Sequence, residues 1–404
     1  MISTPLKRRS TKGPLDAPDD PLAAPAASPF GPPASEDAYP VEMPSATGSP
    51  PVEPQANSDL RFLQDPNIYH PLPTTDVAPA FLHSKLQPPP GSPLTDLLSG
   101  GHFRRAAERA VHELVRCSPD EVERIFQLFY TRLICLMLIS RPDIAAQEAV
   151  PLLELLARNS PNAITLLPRV PWELRILLVR LQSIGTSDGG RRSIMGLYAL
   201  ATECRDNIRE TNVDDVESQA WGQRLSDLGL RVSDALVEMG ELETANRHLD
   251  TLADVDEDEI AYRKALLRVR VGDISGAQAC VKNCKNRHKQ GNLQAQLKMA
   301  NGDFSGARAD WQSKQDSESD PLSANNLAVA LLYTGHIIPA QDILEGLANS
   351  HPGFPALLFN LSTAYELCTE RATDRKTSLV EKMASKTPAP DSGGWEKATF
   401  EFKL

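Results

Sequence analysis

Apolar residues in the second half of the chain recur with a helical period, and glycines interrupt them at regular intervals. Each interruption has one six-residue pattern: a glycine, a polar residue, an apolar residue, two variable residues and an alanine. The glycine and alanine of the four copies are Gly240 and Ala245, Gly272 and Ala277, Gly302 and Ala307, and Gly335 and Ala340. The glycines are 32, 30 and 33 residues apart, and a related pattern begins at Gly101. The regular spacing indicates an internal repeat.

The physical requirements of a helical hairpin account for this pattern. Glycine adopts the left-handed conformation that ends a helix and reverses the chain, and alanine allows close approach where the two helices cross. A period of about 34 residues with these features is typical of tetratricopeptide repeats, which stack because one hairpin cannot bury its apolar face alone. The sequence therefore predicts an all-α solenoid of the tetratricopeptide type, with the repeat array over residues 240–390.

Helix signals also fill the region before the array. Residues 94–239 carry no strand pattern, and start signals such as Ser118-Pro119-Asp120-Glu121 place a capping serine before a proline and two acids. We predict degenerate helical hairpins there, with helices near 102–117, 119–139, 142–158, 171–185, 191–211 and 214–239. Residues 391–404 are predicted to form a C-terminal tail.

The first 93 residues have a different composition. They contain 21 of the 33 prolines, and few large apolar residues occur between Pro14 and Pro54. Such a segment cannot bury enough apolar surface to offset the entropy of ordering, so residues 1–93 are predicted to be a disordered tail. Large apolar residues return at 60–90. They predict an extended segment that docks on this chain or on a partner, or alternatively a sticky linker.

A stack of such hairpins offers an extended groove for partners. Asn326 and Asn360 lie 34 residues apart at equivalent places on successive first helices, and Tyr333 and Tyr365 lie on the same helices. We predict that these four residues line a groove in which the amides hydrogen-bond an extended peptide. The alternative is that asparagine is simply common at these positions.

Charge and composition disfavour several other functions. The formal charge is −11 and the pI is about 5.3, which disfavours binding driven by nucleic-acid phosphates or by anionic membranes. The longest apolar run, 133–139, is too short to cross a bilayer. No phosphate-binding loop occurs, because the glycine-rich stretch 185–190 lacks the Lys-Ser/Thr ending. We therefore expect no catalytic residue, no cofactor and no metal.

The six cysteines are scattered and predict reduced thiols of a cytosolic protein. Cys280, Cys284 and His288 lie at four-residue steps, as expected for one face of a helix. That spacing permits a metal site, but burial in the repeat core is the favoured interpretation.

Two segments carry a family resemblance. Residues 324–333 read Ala-Asn-Asn-Leu-Ala-Val-Ala-Leu-Leu-Tyr, and residues 359–367 read Phe-Asn-Leu-Ser-Thr-Ala-Tyr-Glu-Leu. Both resemble the C-terminal repeats of the trafficking protein particle (TRAPP) complex subunit 12 family. Residues 98–106 also agree with that family, and residues 68–73 look like its fungal version.

The resemblance implies a non-catalytic scaffold subunit of a vesicle-tethering complex. That complex promotes nucleotide exchange on a Rab GTPase in transport between the endoplasmic reticulum and the Golgi and in autophagy. The implied partners are other subunits directly and the Rab GTPase indirectly. The implied location is the cytoplasm, peripheral to these membranes through the complex. Exchange chemistry belongs to other subunits of the family, so no catalytic residue is carried over.

Other interpretations stay open. A tetratricopeptide co-chaperone would clamp a peptide carboxylate with lysine or arginine beside the asparagines, yet neither 321–333 nor 354–367 contains a basic residue. A metal- or thiol-dependent enzyme would require bound metal or an activated cysteine. An RNA-binding helical repeat conflicts with the acidic charge.

Overall fold

The computed structural model describes residues 60–75, 77–157, 161–186, 188–211, 216–315 and 320–399, and the architecture below concerns these. The prediction of a disordered tail over residues 1–59 and the last five residues of the predicted C-terminal tail lie outside the described residues. Within the described residues, every regular element is a helix. The predicted all-α class of the tetratricopeptide type is confirmed.

The helices of the first part are named in chain order. They are α1 (Pro79–Leu82), α2 (Leu94–Ser99), α3 (Phe103–Leu114), α4 (Val122–Leu138), α5 (Pro142–Ala157), α6 (Pro161–Leu166), α7 (Trp172–Leu181), α8 (Arg191–Glu210) and α9 (Val216–Glu238). Six of them match the helices predicted before residue 240, with ends shifted by about four residues at most. Short 3-10 helices lie at Arg61–Gln64, Pro66–Ile68, Leu167–Arg169 and Pro390–Ser392.

The second part continues with helices of similar length. They are α10 (Leu242–Asp250), α11 (Glu257–Val271), α12 (Ile274–Asn283), α13 (Arg287–Ala300), α14 (Phe304–Gln315), α15 (Pro321–Tyr333), α16 (Ile337–Ser350), α17 (Pro355–Cys368), α18 (Ala372–Ala384) and α19 (Gly394–Thr399).

Consecutive helices pair into hairpins that stack in chain order. The first helices of the hairpins are α2, α4, α7, α9, α11, α13, α15 and α17, and their second helices are α3, α5, α8, α10, α12, α14, α16 and α18. Most second helices also pack against the first helix of the next hairpin, as α3 does against α4, α8 against α9 and α14 against α15. Each hairpin thereby buries its apolar face against its neighbours.

One turn geometry connects the helices in six of these hairpins. The turn residue has a left-handed backbone, and the N–H of the following residue donates to a carbonyl five residues earlier at 2.8–2.9 Å. This is the hydrogen bond that closes a helix in a Schellman motif. The turn residues are Gly101, Ser140, Gly240, Gly272, Gly302 and Gly335. The copy at Ser140 was not predicted, because a serine with φ 60° takes the place of glycine.

The alanine five residues after each turn residue lies at the tightest part of the hairpin. Its N–H donates to the carbonyl of the residue that follows the turn, which starts the second helix. The six alanines have no exposed surface: Ala106, Ala145, Ala245, Ala277, Ala307 and Ala340. The predicted close crossing of the two helices accounts for this burial.

Two of the turns contain an aspartate that caps the next helix. Oδ1 of Asp273 accepts from the N–H of Gly276 at 2.9 Å, and Oδ1 of Asp303 accepts from the N–H of Gly306 at 2.8 Å. A Cβ atom at Gly276 or Gly306 would lie 2.0 or 2.1 Å from the other carboxylate oxygen. The aspartate and this second glycine occur together because the capping carboxylate occupies the space that a side chain at the glycine position would need.

Residues 60–75 and 77–90, together called the strap, pack on the chain's own helices. Leu60 and Leu63 lie in the core formed by α3, α4 and α5, with no exposed surface. Val77 and Phe81 lie in a second core, formed by α15 to α19. The strap therefore contacts hairpins from both ends of the described stack.

A buried ion pair holds the first part of the strap. Arg132 of α4 and Glu148 of α5 are 2% and 0% exposed, and two hydrogen bonds of 2.7 and 2.9 Å join them. Arg132 also donates to the carbonyl of His70 at 2.8 Å, and the N–H of His70 donates to Glu148 at 2.8 Å. The pair thus satisfies both peptide groups of His70 as well as its own charges.

The end of the described chain packs against its first hairpin. The indole of Trp395 in α19 is buried, with its ring centre 5.5 Å from that of Phe81 and 5.4 Å from that of His102. Glu396 forms an ion pair with Arg104 of α3 at 3.1 Å. Residues 391–399, expected in a C-terminal tail, are therefore folded, because the tryptophan finds an apolar site between the two ends.

Candidate partner-binding surfaces

The predicted asparagines lie on α15 and α17, which contact each other directly. The side-chain amide of Asn360 donates to Oδ1 of Asn325 at 3.1 Å. Asn325 is buried, whereas Asn326 is half-buried. The amide of Asn360 therefore joins two neighbouring repeats, and both predicted asparagines, Asn326 and Asn360, are half-buried.

Tyr333 presents an aromatic ring to the surface. Its side chain is 65% exposed, and the ring stacks on Phe304 with 4.7 Å between ring centres and 4° between the planes. Phe304 begins α14 and Tyr333 ends α15, so the stack joins two repeats beside their turns. The exposed part of the tyrosine ring can contact an apolar or aromatic partner group.

Tyr365 is mostly buried but also lines an open cleft with Glu345 and Arg375, and its place in a partner groove stays a prediction. It is 7% exposed, and burial, followed by the nearby Glu345 carboxylate, raises the pKa of its hydroxyl. Its ring packs in the core of α15 to α19, and the guanidinium of Arg375 lies 5.5 Å from the ring centre. The residue fills the fourth core position of the first helix, as Leu331 does one repeat earlier.

Exposed apolar side chains distinguish this part of the stack. Leu322 on α15 and Phe359 and Leu367 on α17 are all more than half exposed. Neither α15 nor α17 contains a lysine, arginine, aspartate or glutamate apart from Glu366. The surface formed by these two helices is thus nearly uncharged and partly apolar.

A cleft of about 360 Å³ lies among α4, α7, α8 and α9. Buried apolar side chains of α7 and α8 form its floor, chiefly Trp172, Ile176 and Leu197. Half-buried residues of α4 line one side of the cleft, including Ile134 and Met137. We call this the α7 cleft.

Charged side chains surround the opening of the α7 cleft. The carboxylates are those of Glu173, Asp227, Asp234 and Glu238, and the guanidiniums are those of Arg180 and Arg231. Arg231 pairs with Asp227 at 2.7 Å, and Arg180 pairs with Glu238 at 2.9 Å. Both pairs are about half exposed, so each contributes little to stability.

The α7 cleft was not predicted, although the sequence carries one signal for it. Asp227, Arg231, Asp234 and Glu238 lie on α9 at steps of four, three and four residues. Such steps place charges along one face of a helix. The missing information was the position of α4, whose apolar side chains face the same space.

Candidate metal-binding side chains stay apart in the described residues. No three histidine, cysteine, aspartate or glutamate side chains of this part cluster closely enough to hold a metal ion. The four-residue steps of Cys280, Cys284 and His288 do not lie on one helix, because α12 ends at Asn283 and α13 begins at Arg287. Among the described helices, none has the length and apolar character needed to span a bilayer.

The buried thiols of Cys135 and Cys204 are poor nucleophiles. Burial raises the pKa of Cys135 to about 12 and that of Cys204 to about 11. A thiolate is the reactive form of cysteine, so these two side chains stay protonated near neutral pH. Both lie in apolar cores between helices.

Comparison with known proteins finds two similar curated sequences. Trafficking protein particle complex subunit 12 of Mus musculus is 26% identical over 250 residues, which are 54% of this chain and 31% of the mouse protein. The Homo sapiens protein of the same name is 38% identical over 73 residues, 17% of this chain and 10% of that protein. The aligned part of this chain therefore spans less than a third of the length of these relatives. No family model matches the chain.

Comparison with solved structures finds matches with low TM-scores. Yeast Tom70 has 12% sequence identity and a TM-score of 0.34, with 73% of this chain and 76% of Tom70 covered. The tetratricopeptide domain of P58(IPK) has 16% identity and a TM-score of 0.21, with 76% and 92% covered. These low scores carry no weight, and the fold assignment rests on the hairpins and turns described above. The sequence matches confirm the resemblance stated from the sequence: this chain is a tetratricopeptide-type repeat protein similar to trafficking protein particle complex subunit 12.

Proposed function

We propose that this chain is a non-catalytic scaffold subunit of a TRAPP-type vesicle-tethering complex. Its sequence similarity to subunit 12 of that complex is the single observation that carries the proposal. The helical stack is consistent with it, because stacked hairpins offer extended surfaces to several partners. In this role the chain binds other subunits directly and a Rab GTPase only through them.

The proposal extends to the pathway. The complex supports nucleotide exchange on a Rab GTPase in transport between the endoplasmic reticulum and the Golgi and in autophagy. The chain reaches those membranes from the cytoplasm as part of the complex, since its acidic charge gives it no electrostatic affinity for anionic lipid. It binds no nucleic acid for the same reason.

One docking surface for another subunit is the nearly uncharged face of α15 and α17. Asn326 supplies a partly accessible amide there, and Tyr333, Phe359 and Leu367 supply exposed apolar area. Aromatic and apolar anchors of this kind dominate the energetics of protein interfaces. The lack of lysine and arginine on both helices disfavours the co-chaperone alternative, which needs a positive clamp for a carboxylate.

Purification of the tagged chain from its native cells, followed by mass spectrometry, tests the proposed function. We expect other TRAPP subunits to co-purify in near-stoichiometric amounts, and a tag-only purification serves as the control. Recovery of chaperones without any TRAPP subunit would favour the co-chaperone function instead. Normal recovery by a Tyr333→Ala/Phe359→Ala variant would exclude the α15–α17 face, with Val271→Ala, exposed on α11, as the matched control.

A further inference from the structure

We propose that the α7 cleft binds an amphipathic helix of a partner protein, with its apolar face on the cleft floor and lysine or arginine on its flanks. This inference rests on the proposed function, because it assigns one subunit contact of the scaffold to a defined site. It concerns a surface distant in sequence from α15 and α17.

The shape of the α7 cleft favours a helix over an extended peptide. Helix α9 borders the cleft with charged side chains from Asp227 to Glu238, which span 12 residues, about 16 Å of helix. Apolar side chains from three other helices converge below, including Met137, Trp172 and Leu197. An apolar floor between charged borders matches the binding mode in which a helix inserts its i, i+3, i+4 and i+7 side chains.

The charges at the opening define the flanks of that helix. Four carboxylates line the α7 cleft. Arg231, Arg180 and Arg263 pair with three of them, so the charge of Glu173 is in excess in the described residues. Glu173 is exposed at the start of α7 and forms no ion pair in the described residues. Burial of the Tyr130 side chain, followed by the charge of Glu173, raises the pKa of the tyrosine hydroxyl at the same border. Cationic flanks on the incoming helix complement this surface.

A second cleft with balanced charges adjoins the α7 cleft. Asp234 also lines this second cleft between α9 and α11, together with Glu259, Arg263 and Arg270. Arg263 pairs with Asp234 at 2.5 Å and with Glu259 at 2.8 Å. These ion pairs are at least partly exposed, so each contributes little free energy. A lysine of the incoming helix can therefore replace Arg263 beside Asp234 at a small cost in free energy.

The test uses the full chain and two fluorescent peptides in an anisotropy titration at low salt. The first peptide is a 15-residue helix former with leucine at i, i+3, i+4 and i+7 and lysine on the flanks, and the second has glutamate in place of every lysine. We expect saturable binding of the lysine peptide and at least about tenfold weaker binding of the glutamate peptide. Equal binding of both peptides, or of neither, would overturn the proposal.

Charge-reversed variants locate the binding site. Glu173→Lys/Glu238→Lys should weaken the lysine peptide about tenfold and strengthen the glutamate peptide. Glu370→Lys/Glu381→Lys changes the net charge equally at two exposed sites near α18, so it controls for long-range attraction. An unchanged circular-dichroism melting curve shows that each variant is folded. Equal effects of the two double variants would show that the cleft is not the site.

Purification of the cleft variant separates this inference from the proposed function. If wild-type chain recovers TRAPP subunits and Glu173→Lys/Glu238→Lys loses one of them, both proposals are supported. If the variant recovers every subunit, the cleft assignment fails and the scaffold function stands. If neither protein recovers any TRAPP subunit, the scaffold function fails, and the peptide titration alone then decides whether the cleft binds cationic helices.

Discussion

At the scale of single residues, the smallest side chains decide how closely the helices approach. The six alanines after the hairpin turns are buried without exception, and each lies where a second helix starts. A larger side chain at such a position has no space to enter without separating the two helices. The sequence pattern identified four of these alanines, and it identified a fifth copy of the pattern that begins at Gly101.

Substitution of Ala340 by tryptophan tests this packing. Ala340→Trp should destabilise the hairpin of α15 and α16 by about 1–3 kcal/mol or more through overpacking, and should release partners bound there. Urea unfolding and co-purification measure the two effects. Ala356→Trp introduces the same side chain at an exposed alanine of α17 and should be nearly neutral. An unchanged unfolding midpoint for Ala340→Trp would refute the close crossing.

Substitution by alanine at two glycines within helices should change the free energy of unfolding in opposite directions. Gly306→Ala should destabilise α14 by about 1 kcal/mol, because the new Cβ displaces the capping carboxylate of Asp303. Gly346→Ala in α16 should stabilise the protein by roughly 0.5–1 kcal/mol, because a Cβ there meets no atom within 4 Å. Thermal unfolding of the two variants checks the contrast. Stabilisation by both substitutions would exclude the cap as the reason for Gly306.

At the scale of elements, the strap is held by charge as well as by apolar burial. The ion pair of Arg132 and Glu148 lies in the core and uses its remaining hydrogen-bonding capacity on the backbone of His70. The sequence predicted that residues 60–90 differ from the rest of the first 93 residues. It left open which surface they contact, since the ion-pair partners lie 62 and 78 residues further along the chain.

Removal of one partner of this buried pair should be costly. Arg132→Met should destabilise the first hairpins by about 3–5 kcal/mol, because Glu148 is left charged and uncompensated in the core. Arg132→Met/Glu148→Leu should cost less than Arg132→Met alone, since no buried charge remains. Urea midpoints and amide exchange over residues 60–75 report the effect. A larger loss in the double variant would contradict the assignment of the cost to an unpaired charge.

At the scale of the whole described stack, its two ends are joined. The strap, the first hairpin and α19 meet around Phe81, His102 and Trp395. Ser84 also donates to the carbonyl of Ala384 at 2.5 Å, across 300 residues of sequence. Contacts between ends couple hairpins that a linear array would leave independent.

Trp395→Ala should uncouple the two ends. Loss of this buried indole costs about 3–5 kcal/mol, and amide exchange should accelerate in α1 and α3 as well as in α18. Lys397→Ala changes an exposed residue of the same helix and should leave exchange unchanged. Acceleration confined to residues 386–399 would show that the ends are independent.

The same junction should make stability depend on pH. Burial of His102, followed by the charge of Arg105, lowers the pKa of its imidazole below the ordinary value of about 6.5. The folded state therefore prefers neutral His102, so its contribution is complete above about pH 6.5 and declines as the pH falls below that value. His102→Gln should reduce the loss of melting temperature between pH 7.5 and pH 5.5. His83→Gln, at an exposed histidine, should leave that loss unchanged.

The hairpins follow from the amino-acid sequence alone. Glycine and alanine requirements act within about six residues and return with each repeat, so the helices, their turns and the all-α class follow from local pattern. The turn at Ser140 was not predicted, because only the backbone of the folded chain shows its left-handed conformation. The burial of Tyr365 was not predicted, because the helix pattern alone does not show which face of α17 the neighbouring helices cover.

The positions of the strap, α19 and the α7 cleft depend on tertiary contacts and could not be predicted from local sequence. Each depends on side chains that are far apart in sequence, such as Phe81 and Trp395 or Met137 and Asp234. Their apolar and charged residues fit many arrangements when considered locally. One arrangement is selected only when the hairpins have stacked. The stacked hairpins then present specific apolar sites and charges that the side chains of the strap and α19 contact.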